Sequence, residues 1–180
     1  HAGPAPETYR VKFDTSKGAF TIEVARTLAP LGADRFSDLV QQKFFDEALF
    51  FRVLKGFVVQ FGVNKDPQVQ AKWETPNLPD DPVRETNARG TITFATGGPN
   101  TRTTQLFINL ADNARLDQSG FAPFGKVVDG MDVVDDLYSG YGEGAPQGEW
   151  PDQSMITSRG NEYLEASFPR LDYIKTARIQ

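Results

Sequence analysis

The segment Phe50-Phe51-Arg52-Val53-Leu54-Lys55-Gly56-Phe57-Val58-Val59-Gln60-Phe61-Gly62 constrains the chain most, because it sets two polar side chains inside two apolar, strand-like runs. Lys55-Gly56 marks a bend between the runs. At period two, Phe57, Val59 and Phe61 face one side of the second strand, Val58 and Gln60 face the other, and Arg52 belongs to the strand before it. An arginine is almost never buried unpaired. Arg52 therefore either meets a carboxylate beneath the sheet or opens onto a cleft.

Most of the remaining chain also reads as short strands. Tyr9, Val11 and Phe13 alternate with polar residues, Thr15-Ser16-Lys17-Gly18 turns the chain, and Phe20, Ile22 and Val24 alternate again, which predicts a β-hairpin. Pro30 suits the first turn of a helix whose apolar stripe is Phe36, Leu39, Val40 and Phe44. Residues 63–89 carry Pro67, Pro76, Pro79 and Pro82 and read as one long irregular segment, with Trp73 arguing for packing. Gly90 to Asn109 reads as strand, tight loop and strand. A polar loop from Ala111 to Ala122 and a strand near Pro123–Val128 follow. Met131, Val134, Leu137 and Tyr138 predict a short amphipathic helix. Gly140-Tyr141-Gly142-Glu143-Gly144 has glycines spaced like a dinucleotide fingerprint, but no strand precedes it and Pro146 blocks an immediate helix, so it reads as a loop. Asn161 is placed to cap a short helix with Leu164 and Phe168 inward, and Leu171, Tyr173, Ala177 and Ile179 alternate as a last strand. Many short strands with two helices predict a mainly β fold: an antiparallel barrel, closed so that no edges remain and capped by the helices. Residues 1–8 are expected to be a flexible segment and 9–180 a single domain.

Composition prunes the chemistry. The formal charge is −5, and the 19 basic residues are scattered, which argues against a nucleic-acid surface. No apolar run is long enough to span a bilayer, and none follows a basic stretch as in a signal peptide, so no membrane partner is expected. The chain has no Cys, and His1 is its only His, so a Ser-His-Asp triad, a Cys-His pair and a structural zinc site all lack their parts. Neither a metal nor a cofactor is expected. The opening His1-Ala2-Gly3-Pro4-Ala5-Pro6 has no initiator Met, which suits a trimmed precursor or an expression remnant. A trimmed start favours a periplasmic or secreted protein over a cytoplasmic one.

Two motifs carry a resemblance. Residues 51–62 read Phe-Arg-Val-x-x-Gly-Phe-x-x-Gln-x-Gly, and residues 94–108 read Phe-Ala-Thr-Gly-Gly-Pro-Asn-Thr-x-x-x-Gln-x-Phe-Ile. In this order they closely resemble the cyclophilin family of peptidyl-prolyl cis/trans isomerases. Leu116-Asp117 and Phe124-Gly125-Lys126-Val127-Val128-Asp129-Gly130-Met131 extend the likeness, which covers roughly Tyr9 to Val134. The resemblance implies an eight-stranded barrel acting on X–Pro bonds of peptides and unfolded proteins, as a monomer that assists protein folding. It also implies residue roles. Arg52 is the hydrogen-bond donor to the twisting amide. Gln60 bonds substrate backbone and steadies the arginine. Phe57, Val58, Phe107 and Leu116 match the proline pocket, and Phe121 takes the place of a rim histidine. Ala95 and Thr96 match positions that grip the peptide before proline, and Gln105 matches a further wall residue.

The chemistry asks for little else. Rotation about a peptide bond meets a barrier of about 18–20 kcal/mol, and twisting leaves a pyramidal nitrogen and a more single-bonded carbonyl. A catalyst needs an apolar slot for the ring, one strong donor and anchors for one flank. Two departures from the family pattern stand out. Val58 replaces a common Met, leaving a shorter wall, and Arg115 falls where cyclosporin-sensitive members carry Trp, which implies weakened cyclosporin binding. The alternative on the same fold is a proline-peptide binding or chaperone module. A barrel storing a small ligand is disfavoured, because small barrels are filled by side chains.

Overall fold

Alternating burial builds the first hairpin. In the computed structural model, which describes residues 4–142 and 151–180, β1 (Thr8–Thr15) turns Tyr9, Val11, Phe13 and Thr15 inward. It pairs with β2 (Gly18–Ala25) from Thr8 opposite Ala25 to Thr15 opposite Gly18, leaving Ser16-Lys17 as the turn. Thr15 Oγ1 closes that turn by accepting from the Lys17 N–H and donating to the Gly18 carbonyl. The helix α1 (Pro30–Gln41) follows with Ala33, Phe36, Leu39 and Val40 buried, and Phe44 is buried just beyond its end.

The other strands are β3 (Arg52–Leu54), β4 (Val58–Phe61), β5 (Thr91–Phe94), β6 (Leu106–Asn109), β7 (Gly125–Asp129) and β8 (Ile174–Ile179). All neighbours pair antiparallel in the order β3-β4-β6-β5-β7-β2-β1-β8, so the sheet curls into a half-barrel. Phenylalanines fill the concave side. Phe13 stacks on Phe20 at 4.9 Å and meets Phe61 edge-on at 5.9 Å.

The expected closed barrel is corrected at one seam. Among the described residues no ladder joins β3 to β8. The residues before β3 bridge the gap instead: Glu47 N–H donates to the Ile174 carbonyl, Ile174 N–H to that of Ala48, and Phe50 N–H to that of Asp172. Glu47 has φ +64°, outside the extended region, so this stretch cannot pleat into a continuing strand.

Besides the three helices read from the sequence, the described residues hold two more α-helices. The irregular segment 63–89 contains α2 (Pro67–Trp73), capped by Asp66, and Trp73 packs edge-on against Phe44 at 5.9 Å. The expected amphipathic helix is α3 (Met131–Asp135). α4 (Gln153–Arg159) and α5 (Asn161–Ser167) cover a second apolar cluster of Leu49, Phe51, Val63, Ile156, Leu164 and Leu171. Asn161 is the first residue of α5 and not its cap; its side-chain amide instead donates to the Glu47 carbonyl. The simple alternation expected for the last strand also breaks. A register shift opposite Asp14/Thr15 puts Ile174 and Ala177 both inward and leaves Tyr173 exposed. His1 and residues 143–144 of the glycine-rich loop lie outside the described residues.

Candidate active site

Strand register assembles the site on the convex face. Arg52 lies opposite Gln60, Gln60 opposite Phe107, and Phe107 opposite Thr93, one row across β3, β4, β6 and β5. Side chains alternate, so the intervening Val53, Val59, Ile108 and Ile92 point into the core. Two residues along, Val58 and Asn109 share the convex face with this row. The expected division of β4 into Val59 and Phe61 against Val58 and Gln60 is what the packing shows. Phe57 is the correction. It precedes β4, in the turn at Gly56 (φ +73°), so the strand period does not reach it and its ring joins Val58 at the cleft.

The cleft has a volume of about 190 Å³. Nine of the ten residues expected from the sequence line it: Arg52, Phe57, Val58, Gln60, Ala95, Thr96, Phe107, Leu116 and Phe121. Phe107 and Phe121 meet edge-on at 5.4 Å and form an aromatic corner, with Arg52 as the charged member of the lining. The tenth, Gln105, stands in an adjoining polar recess of about 220 Å³, which shares Gln60, Ala95 and Thr96 with the cleft. Gln153, from the first turn of α4, also lines this recess; nothing local in the sequence connects it to the site. Larger hollows exist, such as one of about 460 Å³ between Glu47, Leu49, Phe168 and Tyr173, but it lacks the arginine–glutamine pair.

Arg52 opens onto the cleft and is held from the side. Its Nη1 donates to Gln60 Oε1 at 3.2 Å, and Gln60 Nε2 donates to Gln105 Oε1 at 2.8 Å. A close backbone approach makes this chain possible. Gly62 has φ +110°, and a Cβ there would lie 2.4 Å from the Thr104 carbonyl oxygen, so only glycine lets β4 end against residues 104–105. The Thr104 hydroxyl fastens the crossing by donating to the Gly62 carbonyl at 2.7 Å.

A buried amide network supports the wall behind the aromatics. Asn109 Nδ2 donates to Asn87 Oδ1 and Thr91 Oγ1, and Asn113 Nδ2 donates to Asn109 Oδ1 and the Phe57 carbonyl. Asn87 Nδ2 donates to the Phe121 carbonyl and to Asp117 Oδ1. Desolvation pushes the Asp117 pKa upward, but hydrogen bonds from Thr86 and Asn87 outweigh it and hold the carboxyl below its ordinary range. Local sequence pattern does not single out this network, because its partners lie 4 to 56 positions apart. Among the described residues no three His, Cys, Asp or Glu converge as metal ligands.

Comparisons with known proteins agree with this geometry. Residues 10–160 match the family described as cyclophilin type peptidyl-prolyl cis-trans isomerase. The chain is 36% identical over 132 residues to the peptidyl-prolyl cis-trans isomerase of Acinetobacter baylyi, covering 71% of this chain and 70% of the relative. It is 38% identical over 140 residues to peptidyl-prolyl cis-trans isomerase A of Dickeya dadantii, covering 74% and 73%. Among solved structures, a cyclophilin type isomerase of Cryptosporidium parvum superposes with a TM-score of 0.70 at 21% identity, covering 96% of this chain and 98% of that one. The same protein crystallised in the presence of the dipeptide Ala-Pro gives 0.69 at 20% identity, covering 95% and 98%.

Proposed function

This chain belongs to the cyclophilin-type peptidyl-prolyl cis-trans isomerases, and from that premise we propose that its convex-face cleft catalyses rotation about X–Pro bonds in peptides and exposed protein segments. The observation that carries the assignment is the cross-strand pair Arg52–Gln60 at the mouth of an aromatic slot. The prolyl ring enters between Phe57, Val58, Phe107, Leu116 and Phe121, where apolar burial favours it over water. The preceding peptide lies along Ala95 and Thr96, which keeps that flank still while the prolyl side turns.

Arg52 acts on the twisted amide. A guanidinium is planar and carries its charge across the physiological range, so it donates to the prolyl nitrogen as its lone pair develops. That interaction is weak while the amide is conjugated and strong when it is twisted, the difference that lowers a barrier. Gln60 holds the guanidinium through Oε1 and gives one N–H to Gln105, leaving the other for a substrate carbonyl. No proton is transferred and no covalent intermediate forms.

Residues 9–180 act as one isomerase domain in this reading. The protein works as a monomer that assists folding, needs no cofactor and binds cyclosporin weakly. A coupled cis-to-trans assay on a short Ala-Pro peptide tests the mechanism. Arg52→Ala is expected to lower kcat/KM by at least about 10²-fold, the usual loss for one preorganised donor, with an unchanged circular dichroism spectrum. Arg52→Lys is expected to recover only part, because an ammonium lacks the planar fork. Retained activity in Arg52→Ala would remove the residue from the mechanism, and a wild type that binds the peptide without turning it over would favour the binding module.

A further inference from the structure

Beyond Phe57 the cleft continues into a second hollow of about 490 Å³, lined by Gly56, Phe57, Ala111, Asp112, Asn113, Ala114 and Arg115. Phe57 is the wall common to both. Its ring supports a cation: the Arg115 guanidinium carbon lies 5.2 Å from the ring centroid, a cation–π distance, while the side chain remains exposed. The shelf is tied together beneath the ring. The Phe57 carbonyl accepts from the Leu110 N–H at 2.8 Å and from Asn113 Nδ2 at 3.0 Å, so the segment that carries Arg115 is fixed to the residue it covers. Arg115 itself sits in a 3₁₀ turn, Ala114–Ser119, that also supplies Leu116 to the proline slot.

These positions give the cleft a direction. Ala95 and Thr96 border the polar recess, and Phe57 borders the Arg115 shelf. If the residues before proline lie along Ala95 and Thr96, as in the proposed function on which this inference rests, those after proline leave over Arg115. We propose that Arg115 is a specificity-determining residue that favours substrates with a carboxylate at the first or second position after proline. The guanidinium carbon lies over Phe57, and the exposed side chain leaves its N–H groups accessible to a passing acidic side chain. Asp112 lines the same hollow and works against this preference. Its Oδ1 accepts from the Arg89 N–H at 2.9 Å, which anchors its charge close to the path.

The test compares capped peptides containing Ala-Pro-Glu-Glu, Ala-Pro-Gln-Gln and Ala-Pro-Lys-Lys, with isomerisation read by NMR exchange so that no coupling protease adds its own preference. At low salt the wild type is expected to turn over the Glu peptide about two- to fivefold faster than the Gln peptide, the size of one exposed ion pair. The Lys peptide should be slower than both, and about 0.5 M salt should compress the series. In Arg115→Gln the Glu-to-Gln ratio should fall to about one, whereas Arg115→Lys should keep part of it. Asp112→Asn retains an oxygen for the Arg89 N–H and is expected to raise the ratio. An undiminished ratio in Arg115→Gln, or a wild type indifferent to peptide charge, overturns the proposal. Failure to turn over the neutral Gln peptide would instead overturn the isomerase reading.

Discussion

Arg52 and Arg115 use the same functional group in opposite ways. Arg52 is half-buried and bonded to Gln60, so its direction is set by a neighbour in the sheet. Arg115 is exposed, with its guanidinium carbon over the Phe57 ring. That second arrangement bears on cyclosporin. Where an indole would offer an N–H donor and a broad apolar face, Arg115 offers a hydrated cation above a ring it already covers. Cyclosporin is therefore expected to inhibit this protein about 10- to 150-fold less tightly than Trp-bearing relatives, about 1.5–3 kcal/mol. Arg115→Trp should recover part of the difference while leaving turnover of a neutral proline peptide in place. Inhibition curves for the two proteins under identical conditions check this, and equal affinities would show that Arg115 does not control the rim. Arg52 stands out in the sequence because a charge interrupts an apolar run, whereas Arg115, in a polar loop, stands out only through the family resemblance around Leu116-Asp117. Gln153 does not stand out, because a glutamine at a helix start has nothing local to distinguish it.

The long segment between β4 and β5 shows how an irregular element can hold regular ones. Nothing at the start of α1 caps it: Ala29 has no side-chain acceptor. Asp81, about fifty residues on, accepts from the Leu31 and Gly32 N–H groups at 3.1 and 2.9 Å. It also pairs with Arg102 Nη2 at 3.1 Å, and both side chains are almost fully buried. Arg102 belongs to the loop between β5 and β6, so one carboxylate joins helix α1, the 63–89 segment and the loop that carries Ala95 and Thr96 towards the cleft. Asp81→Ala would leave buried Arg102 only the exposed Asp80 carboxylate, 3.9 Å from its Nε, and would leave two helix N–H groups without acceptors. The expected destabilisation is about 3–5 kcal/mol, read from urea unfolding, with Asp81→Asn losing less because an amide oxygen still accepts. A change below about 1 kcal/mol would show that solvent replaces the pair at little loss. Four prolines made this stretch legible as irregular, and Trp73 as packed. The Asp81 bridge was not legible, since an Asp between two prolines resembles any turn residue.

Across the whole molecule, activity and stability should answer pH differently. The ten residues assigned to the cleft and its recess are Arg, Gln, Phe, Val, Ala, Thr and Leu. kcat/KM is therefore expected to stay flat between about pH 6 and 9, and a bell-shaped profile on a non-ionising substrate would reveal an overlooked acid or base. Stability should fall in acid. The hydrogen bond from Arg26 holds Asp34 below its ordinary pKa, and that from Arg89 does the same for Asp135. At Asp46 burial pushes upward, but Arg178 outweighs it. A carboxylate depressed in the folded state contributes its stability in full above the unfolded value of about 4, and loses it as pH falls through the folded value. Urea midpoints should thus be nearly constant from pH 7 to 5 and drop below about pH 4, more gently in Asp34→Asn. A midpoint that is unchanged at pH 3 would contradict the sign.

The same division separates what local pattern fixes from what the folded chain adds. The first hairpin, the helix stripe and the Arg52–Gln60 spacing follow from periods of 2 and 3.6 and from turn chemistry, which act over a few residues and so can be read along the chain. Phe57 leaving the strand period, the seam bridged by residues 47–50 and the shift that turns Ile174 and Ala177 inward together do not follow from any local period. Nor do the Asn87–Asn109–Asp117 network and the Asp81–Arg102 pair. Each depends on which backbone carbonyl, N–H or charge a distant segment brings close, and burial makes those groups find partners wherever the fold supplies them.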